Sequence, residues 1–379
     1  MKRVPSLAIG GLLVSILLAS SCAGEPAPEA VDRMVNLGFE DVVNSEPGYL
    51  AKLSDRLDSV DATAVSISVG RTDWTAFPWP GHVGSGSSEV SRTGRDFVAE
   101  SISALEFSEN GKKRDVILTI DALLGHLLKD DPSIAGRTMD GVASGSFASV
   151  WSLRHGIAGT RLASLAATIA EKYKPTAVNL TELMFDDFTF GSDDLEDFKI
   201  TTDSRDWPRN SDGSINAEDP RINTWRSEAM ADIVRKVRAA VEPFGVNLDM
   251  DVRSPRDSAS GDRADSGHDY DLLLKQVDRL HVWQYVGLNN ERSPKTRELV
   301  ESMNRRAGPR MSLSLGLWSE DGRMPAGEFA GALREAALGG AVSVSVTPAS
   351  LMEDQHWEEL RKAWAGEVRT VEPIPRGVR

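Results

Sequence analysis

Residues 178–198 read VNLTELMFDDFTFGSDDLEDF, and this stretch changes from apolar to acidic along its length. Its first part continues an apolar and β-branched run that begins at Ala177, which is typical of a buried strand. The acidic side chains that follow are Glu182, Asp186, Asp187, Asp193, Asp194, Glu196 and Asp197. A buried strand that ends in acidic residues is typical of barrels whose chemistry lies at the strand C-termini.

Two kinds of carboxylate are expected within this stretch. Glu182 lies inside the predicted strand at residues 177–185, where an unpaired carboxylate costs several kcal/mol to bury. It should therefore face a polar cavity or hold a specific partner. The run from Asp193 to Asp197 instead predicts a solvated loop, since runs of like charge are commonly solvated.

Short apolar strands alternate with amphipathic helices along the chain. Eight strands are predicted, near residues 34–39, 64–69, 116–121, 177–185, 246–252, 280–285, 311–317 and 342–347. Helical patterns are predicted at residues 49–60, 97–107, 160–173, 222–241, 295–305, 327–337 and 354–363. This alternation predicts an α/β fold, a single (β/α)8 TIM barrel with its site on the long loops after the strand C-termini.

An open doubly wound sheet is the main rival fold. It would require a glycine-rich first crossover between a strand and a helix. The glycine-rich segment GHVGSGSS at residues 81–88 is followed by no fitting unit, so we interpret its glycines as loop flexibility.

The N-terminus carries a targeting signal. Lys2 and Arg3 precede an apolar run at residues 7–19 and then LASSC, which ends at the sole cysteine, Cys22. This pattern resembles the bacterial lipoprotein signal, in which cleavage leaves a lipidated N-terminal cysteine. We predict a signal peptide at 1–21, a lipidated tether at 22–33, the barrel at 34–366 and a C-terminal tail at 367–379. A plain secreted protein in which Cys22 has no such role is the alternative.

If this signal is processed as predicted, we expect the mature chain to lie in the cell envelope, lipid-anchored to the membrane on the extracytoplasmic side. Composition limits its other partners. The net charge is −14 at pH 7, and no basic stripe interleaved with aromatic residues is present, so no nucleic-acid partner is expected. The six histidines show no metal-ligand spacing, and neither a metal nor another cofactor is expected.

Six tryptophans lie in the predicted loops after the strands or on the strands near the expected site. Long loops in a compact domain are commonly functional, and tryptophan faces stack on the apolar faces of sugars, so the distribution predicts a glycan cleft. The alternative is that some of the rings pack loops onto the barrel. The candidates are Trp74 and Trp79 after strand two, Trp151 after strand three, Trp207 after strand four, Trp283 on strand six and Trp318 at the end of strand seven.

The fifth predicted strand has one wholly polar face. Residues 246–254 read VNLDMDVRS, in which apolar residues alternate with Asn247, Asp249, Asp251 and Arg253. In a barrel the apolar face must meet the helices, which directs the polar face to the axis. We therefore expect Asp251 and Arg253 to border the site, and Asp249 to form a structural ion pair deeper in the barrel.

Several short motifs, in order, resemble glycoside-hydrolase-like TIM barrels related to glycosyl hydrolase-like family 10. They are IAEKY at 169–173 with AVNLTE at 177–182, WRSEAMADIVRKV at 225–237, DRLHVWQYVG at 278–287 and LGLW at 315–318. The family tends to place two acids side by side on strand four, where this chain has Thr181 and Glu182. The resemblance implies hydrolysis of glycosidic bonds in an amino-sugar polymer, such as peptidoglycan glycan strands or partly deacetylated exopolysaccharide.

Such cleavage requires a protonated acid at the leaving oxygen and a second carboxylate as nucleophile or base. We expect Glu182 to be the acid and Asp251, kept ionised beside Arg253, to be the second group, with Asp186 and Asp187 as alternates. A non-catalytic glycan-binding lipoprotein is the other function class. The loop at residues 258–269, SASGDRADSGHD, is expected to be mobile and able to act as a lid. Expected substrate contacts are Arg71, Asp73, Trp74, Trp79, Asp121, Trp151, Arg253, Trp283, Gln284, Tyr285 and Trp318.

Overall fold

A computed structural model describes residues 32–82, 84–255, 262–289 and 293–366 of the chain. The predicted signal peptide, Cys22 and the predicted tail at 367–379 lie outside the described residues. The first strand begins at Asp32, so it includes two residues that were predicted to belong to the tether.

Eight parallel strands form a closed barrel, as the alternating pattern predicts. Each strand pairs with its neighbours in sequence, and the first strand pairs with both the second and the eighth, which closes the sheet. The strands are β1 (Asp32–Leu37), β2 (Ala64–Arg71), β3 (Asp115–Asp121), β4 (Ala177–Thr181), β5 (Asn247–Arg253), β6 (Arg279–Gln284), β7 (Met311–Gly316) and β8 (Ser343–Thr347).

Helices connect the strands and cover the outside of the barrel. In the described residues they are α1 (Phe39–Val42), α2 (Tyr49–Ser59), α3 (Ser88–Thr93), α4 (Phe97–Leu105), α5 (Gly125–Asp130), α6 (Val150–Arg154), α7 (Ile157–Tyr173), α8 (Ser192–Thr202), α9 (Pro220–Val241), α10 (Tyr270–Leu273), α11 (Val286–Asn289), α12 (Ser293–Arg306), α13 (Ala326–Leu338) and α14 (Asp354–Trp364). None of these helices combines the length and the apolar character needed to span a bilayer.

Short strands decorate the loops at the C-terminal mouth of the barrel. Two antiparallel hairpins are present, Ala135–Arg137 with Ala143–Ala148 and Trp318–Ser319 with Gly322–Arg323. The strand Trp74–Thr75 folds back on the end of β2. These additions all lie after strand C-termini, where the sequence predicts the site.

The two faces of each barrel strand are packed differently. On β5, Leu248, Met250 and Val252 are fully buried in the large apolar core that joins the strands to the helices. Each side chain of this size contributes about 1.5 to 3 kcal/mol when it is removed from water. The intervening polar residues face the barrel axis, as predicted. Four inward residues, Met34, Ala64, Ile117 and Ala177, form a separate small apolar cluster that closes the N-terminal end.

Strand β4 ends four residues earlier than the sequence predicts. The prediction that it runs to residue 185 is wrong because Glu182 has φ +57°, in the left-handed region, and a strand cannot continue through that conformation. Glu182 therefore stands immediately beyond the strand.

The predicted solvated loop at Asp193–Asp197 is also wrong. These residues form the start of α8, in which Asp194 and Asp197 are buried. Asp194 accepts hydrogen bonds from the backbone N–H groups of Gly191 and Trp151, so it satisfies donors at the starts of two helices. The run of acidic residues does not reveal that two of them, Asp194 and Asp197, lie on the buried face of a short helix.

Candidate active site

Glu182 stands at the C-terminal mouth of the barrel in a strained backbone conformation. A left-handed residue other than glycine costs about 1 to 3 kcal/mol and persists only where its surroundings hold it. The next residues are held on both sides. The Leu183 carbonyl is hydrogen-bonded by His268 over 3.0 Å, and the Phe185 N–H donates to the Ser266 carbonyl over 2.9 Å.

The environment of Glu182 favours its protonated form. Burial raises the pKa of this carboxyl to about 7, and the neighbouring Asp121 and Asp251 act in the same direction. Arg253 and Arg71 oppose the shift without reversing it. Near neutral pH a substantial fraction of this carboxyl therefore keeps its proton.

Asp251 lies on the inward face of β5, the strand that pairs with β4. It is buried, and its Oδ1 accepts a hydrogen bond from Asn179 Nδ2 over 3.1 Å. Burial raises the pKa of Asp251 above its ordinary value, while His281 and the side chains of Thr181 and Asn179 act the other way. This differs from the sequence expectation that Asp251 is kept ionised beside Arg253, because burial favours its protonated form and its ionisation depends on the neighbours that oppose burial.

Arg253 does not pair with Asp251, contrary to the sequence expectation. Its guanidinium donates from Nη1 and Nη2 to the two carboxylate oxygens of Asp186, each over 3.2 Å, and Nη1 also donates to Ser266 Oγ. The reason is the position of Asp186 on the loop after β4, level with the end of β5. Asp187, the other alternate, is exposed.

Arg71 and Asp121 form a second ion pair at the mouth, with Arg71 Nε 2.8 Å from Asp121 Oδ2. A bulge between Ser68 and Gly70 shifts the alternation of β2, so that Arg71 and Asp121 become register partners on neighbouring strands. Burial raises the pKa of Asp121, and Arg71 opposes that effect. The Arg71 guanidinium also lies 5.3 Å from the ring centroid of Trp74.

An aromatic ladder borders the site on the side of β6 and β7. The rings of Trp283 and Tyr285 are stacked 5.4 Å apart, and Tyr285 is 5.3 Å from Trp318. Gly316 leaves room for this arrangement, because a Cβ there would lie 2.2 Å from the Tyr285 ring. Burial, Asp251 and Glu182 raise the pKa of Tyr285 well above its usual value, so its hydroxyl remains a hydrogen-bond donor near both carboxyls.

Two predicted contact residues after β2 have structural partners instead. Asp73 is buried, and its Oδ2 accepts hydrogen bonds from the backbone N–H groups of His126 and Leu127 at the start of α5. Trp79 is 5% exposed, with its Nε1 hydrogen-bonded to Thr168 Oγ1 on α7. Both side chains therefore have structural roles in the loops after β2.

Gln284 and Trp151 also have partners within the protein. Gln284 follows the inward-facing Trp283, so strand alternation directs it outward, where its Nε2 donates to Thr296 Oγ1 on α12 over 3.2 Å. Trp151 lies on α6, is 36% exposed and packs against the ring of His155. The predicted loop tryptophan Trp207 is buried between Phe198 and other rings.

The mobile-lid expectation for residues 258–269 is wrong for the part that the structure describes. Within residues 262–269, Ser266 and His268 are buried, and both bond to residues of neighbouring segments. Gly267 has φ +80° and packs so closely that a Cβ would lie 2.9 Å from the Phe185 ring. This segment is an integral part of the wall of the site.

Sequence reasoning missed three polar residues around the carboxyls. Asn179 lies between Val178 and Leu180 on β4, and a lone amide at an inward position of an apolar strand was the available signal. His281 lies against Asp249, with Nε2 3.4 Å from Oδ2, a contact that is an ion pair only when the imidazole is protonated. No sequence signal pointed to His268. Across the described residues, no group of three or more His, Cys, Asp or Glu side chains is arranged to hold a metal.

Solved structures with a similar fold include TIM-barrel domains of glycoside hydrolases. The glycoside hydrolase domain of PgaB (BpsB) from Bordetella bronchiseptica superposes with a TM-score of 0.69 at 13% identity, covering 88% of this chain and 99% of that one. The catalytic domain of β-amylase from Paenibacillus polymyxa superposes with a TM-score of 0.60 at 10% identity, covering 92% of this chain and 100% of that one.

A third similar structure is the spore cortex-lytic enzyme SleL from Bacillus cereus. It gives a TM-score of 0.51 at 12% identity, over 88% of this chain and 74% of that one. No family model matches the sequence, and no curated protein matches it. At these identities the comparisons show a shared TIM-barrel fold, and the chemistry has to be argued from the site itself.

Proposed function

We propose that the protein is a glycoside hydrolase that cleaves an amino-sugar polymer of the cell envelope by two-carboxylate chemistry. The observation that carries the proposal is Glu182, a carboxyl at the mouth of a glycosidase-like barrel with a pKa of about 7. A carboxyl that keeps its proton near neutral pH, beside others that can ionise, is the arrangement that glycosidic cleavage requires.

The two carboxyls divide the reaction between them. Protonated Glu182 donates its proton to the leaving glycosidic oxygen, and ionised Asp251 acts as nucleophile or activates water. Each carboxylate disfavours ionisation of the other, so loss of one proton leaves the second more firmly held. Tyr285, whose hydroxyl stays protonated, is available to hydrogen-bond the substrate beside them.

The charge balance supports a substrate or transition state with positive charge. With Glu182 protonated, three further carboxyls at the mouth, Asp121, Asp251 and Asp186, face the two guanidiniums of Arg71 and Arg253, and when all three are ionised they leave an excess of one negative charge. The negative excess would stabilise the oxocarbenium-like transition state of glycosidic cleavage. It would also favour an amino sugar that carries a free ammonium group, as in a partly deacetylated exopolysaccharide.

The sequence resemblance to glycosyl hydrolase-like family 10 implies the same substrate class. PgaB and SleL, as a glycoside hydrolase domain and a spore cortex-lytic enzyme, share the fold. Thr181 stands where that family tends to have an acid, and its side chain helps to ionise Asp251. A second acid at position 181 would instead repel Asp251.

We further propose that the protein acts at the extracytoplasmic side of a membrane, held by a lipid on Cys22. The support is the apolar N-terminal run that ends in LASSC with the only cysteine of the chain. A lipid anchor with a short tether would keep the barrel close to envelope polysaccharide.

The deciding experiment compares wild type with Glu182→Gln on amino-sugar polymers. The amide keeps the size and hydrogen-bonding reach of the side chain but cannot supply a proton, so turnover should fall by about 10² to 10⁴ while binding is retained. Reducing-end release measures turnover, and affinity electrophoresis measures binding. Glu196→Gln, the same substitution at an exposed position on α8 outside the proposed site, is the matched control and should stay near wild type.

A non-catalytic glycan-binding lipoprotein is the second candidate. The absence of a paired acid beside Glu182 on strand four favours it, because Thr181 cannot act as a second carboxylate. A wild-type protein that binds these polymers but releases no reducing ends would establish this alternative. A fully active Glu182→Gln variant would instead move the acid to Asp186 or Asp187.

A further inference from the structure

His268 joins the two segments that carry the proposed catalytic carboxyls. It lies in the loop after β5, is fully buried and uses both ring nitrogens. Nδ1 accepts a hydrogen bond from the backbone N–H of Arg253 over 3.1 Å, and Nε2 is 3.0 Å from the carbonyl oxygen of Leu183. One imidazole therefore bridges the end of β5 and the loop after β4.

The two bridged residues are close in sequence to the carboxyls. Leu183 directly follows Glu182, and Arg253 lies two residues after Asp251 on the same strand. We infer that His268 is a positioning residue that sets the separation between Glu182 and Asp251 by holding these two backbone segments at a fixed distance. The expected effect on kcat rests on the proposed function, whereas the structural role of His268 does not.

The ring is held in one protonation state. An Nδ1 that accepts from a backbone N–H and an Nε2 that faces a carbonyl require the neutral imidazole with its proton on Nε2. Burial lowers the pKa of His268 to about 4, although the hydrogen bond to the Leu183 carbonyl raises it. Among the charged neighbours, Arg253 and Arg263 also lower this pKa, and Asp265 raises it. The ring is therefore neutral over the range in which Glu182 and Asp251 would work.

Other contacts make this junction rigid. The Tyr270 hydroxyl donates to the Arg253 carbonyl, and Arg226 Nη1 donates to the Asp265 carbonyl over 2.8 Å. The Phe185 N–H to Ser266 carbonyl bond ties the same two loops a second time. Because the left-handed Glu182 conformation needs support from its surroundings, the carbonyl of the next residue is an effective point at which to hold it.

A set of variants separates positioning from packing. His268→Phe keeps a planar aromatic ring, slightly larger than imidazole, and removes both hydrogen bonds. His268→Asn keeps an acceptor near the Nδ1 position, and His268→Gln keeps a donor near Nε2. His356 supplies a matched control. It is also buried, accepts from the Glu353 N–H through Nδ1 over 3.3 Å and places Nε2 2.8 Å from the Met324 carbonyl.

We expect His268→Phe to lower kcat by about 10²-fold, since a misplacement of roughly 1 Å can have that effect, with KM changed by less than about threefold. His268→Asn and His268→Gln should each recover part of the loss. His356→Phe should lose similar thermal stability but keep kcat within about threefold of wild type. A kcat for His268→Phe no lower than that of His356→Phe would overturn the inference.

A second readout does not depend on turnover. Carboxyl carbon NMR of the wild type should show Glu182 titrating near pH 7, and His268→Phe should move that midpoint toward the ordinary value, because the carboxyl leaves its buried position between Asp121 and Asp251. His356→Phe should leave it unchanged. A wild type without hydrolytic activity would refute the proposed function alone, whereas an unmoved Glu182 midpoint in folded His268→Phe would refute the positioning role.

Discussion

Asn179 donates a hydrogen bond from Nδ2 to Oδ1 of Asp251 over 3.1 Å, between the neighbouring strands β4 and β5. Both side chains are buried. A neutral amide stabilises the ionised carboxylate without cancelling its charge, whereas an arginine in the same place would neutralise it. The partner of Asp251 therefore leaves a negative charge available to meet positive charge that develops on a sugar ring.

Asn179→Leu should shift the acidic limb of the pH profile to higher pH. Asp251 must be ionised to act, so activity is lost as pH falls through its pKa. Removing the donor disfavours the ionised form, and a hydrogen bond to a charged group contributes about 1.5 to 3 kcal/mol, which corresponds to roughly one to two pH units. The measurement is kcat/KM against pH.

Ser312→Ala is the control for that profile. Ser312 is another buried inward residue, and its hydroxyl bonds Ser343 over 2.9 Å, away from Asp251. The acidic limb of the kcat/KM profile of Ser312→Ala should coincide with that of wild type. An Asn179→Leu profile that also coincides would show that Asp251 is not the group that must ionise.

Trp318 and Trp79 should behave oppositely when replaced by alanine. Trp318 is half-buried at the mouth beside Tyr285, so Trp318→Ala should weaken glycan binding by roughly 1 kcal/mol or more with little loss of stability. Trp79 is packed against α7, so Trp79→Ala should lower the free energy of unfolding by about 3 to 5 kcal/mol and leave affinity unchanged. Fluorescence titration and chemical denaturation distinguish the two, and equal affinities for all three proteins would exclude Trp318 from the cleft.

The barrel could be predicted because its signal is repeated along the whole chain. Eight apolar strands that alternate with amphipathic helices allow few arrangements, and the alternation on β5 correctly directs Asp251 toward the axis. The same reasoning would have excluded Gln284, since it stands between the inward Trp283 and Tyr285. That misplacement was avoidable from the sequence.

Other features of the site depend on long-range contacts that no local pattern encodes. The end of β4 is set by the left-handed Glu182, which is held by hydrogen bonds from residues more than 80 positions away. Arg253 pairs with Asp186 and not with Asp251 because the loop after β4 brings Asp186 to the end of β5. Both outcomes arise from tertiary packing rather than from propensity or charge spacing.

Asp197 should be essential for stability, although it lies in a charge run. Its buried carboxylate accepts hydrogen bonds from Arg154 Nη1 over 3.0 Å and from Trp225 Nε1 over 2.7 Å, and it lies 2.7 Å from His155 Nε2. Asp197→Asn leaves these partners without their charge, which should cost about 3 to 5 kcal/mol of unfolding free energy. Asp193→Asn, on the same helix but less buried, should be close to neutral. Urea denaturation compares them, and equal midpoints would contradict the assigned network.

Cys22 carries the prediction about location. If lipid is attached to this residue after signal cleavage, Cys22→Ala should move the protein from the membrane fraction to the soluble fraction, because a short tether alone gives no membrane affinity. Fractionation followed by immunoblotting measures this. Equal membrane association of wild type and Cys22→Ala would contradict lipid anchoring at this residue.

Glu182 should destabilise the folded protein when it is ionised. Its pKa rises from an ordinary value of 4.5 to about 7 in the folded state. Below the lower value both the folded and the unfolded states are protonated; as pH rises toward the higher value, the unfolded state loses its proton first, and stability falls. Between about pH 4.5 and pH 8 this contribution declines by up to roughly 3 kcal/mol, with about 1 kcal/mol as the lower expectation because the side chain is partly exposed.

Glu182→Gln removes this titration, so the variant should be more stable than wild type at pH 8 and nearly equal to it at pH 4.5. The measurement is the free energy of unfolding in urea at both pH values, with Ser312→Ala, which removes no titratable group, as the control that should show no such divergence. A gain in stability at pH 8 that accompanies a loss of turnover would mean that the chain keeps a strained, buried carboxyl for its chemistry. Equal stability of wild type and Glu182→Gln at pH 8 would instead mean that Glu182 titrates as an ordinary surface carboxylate, and the proposed general acid would have to be sought elsewhere.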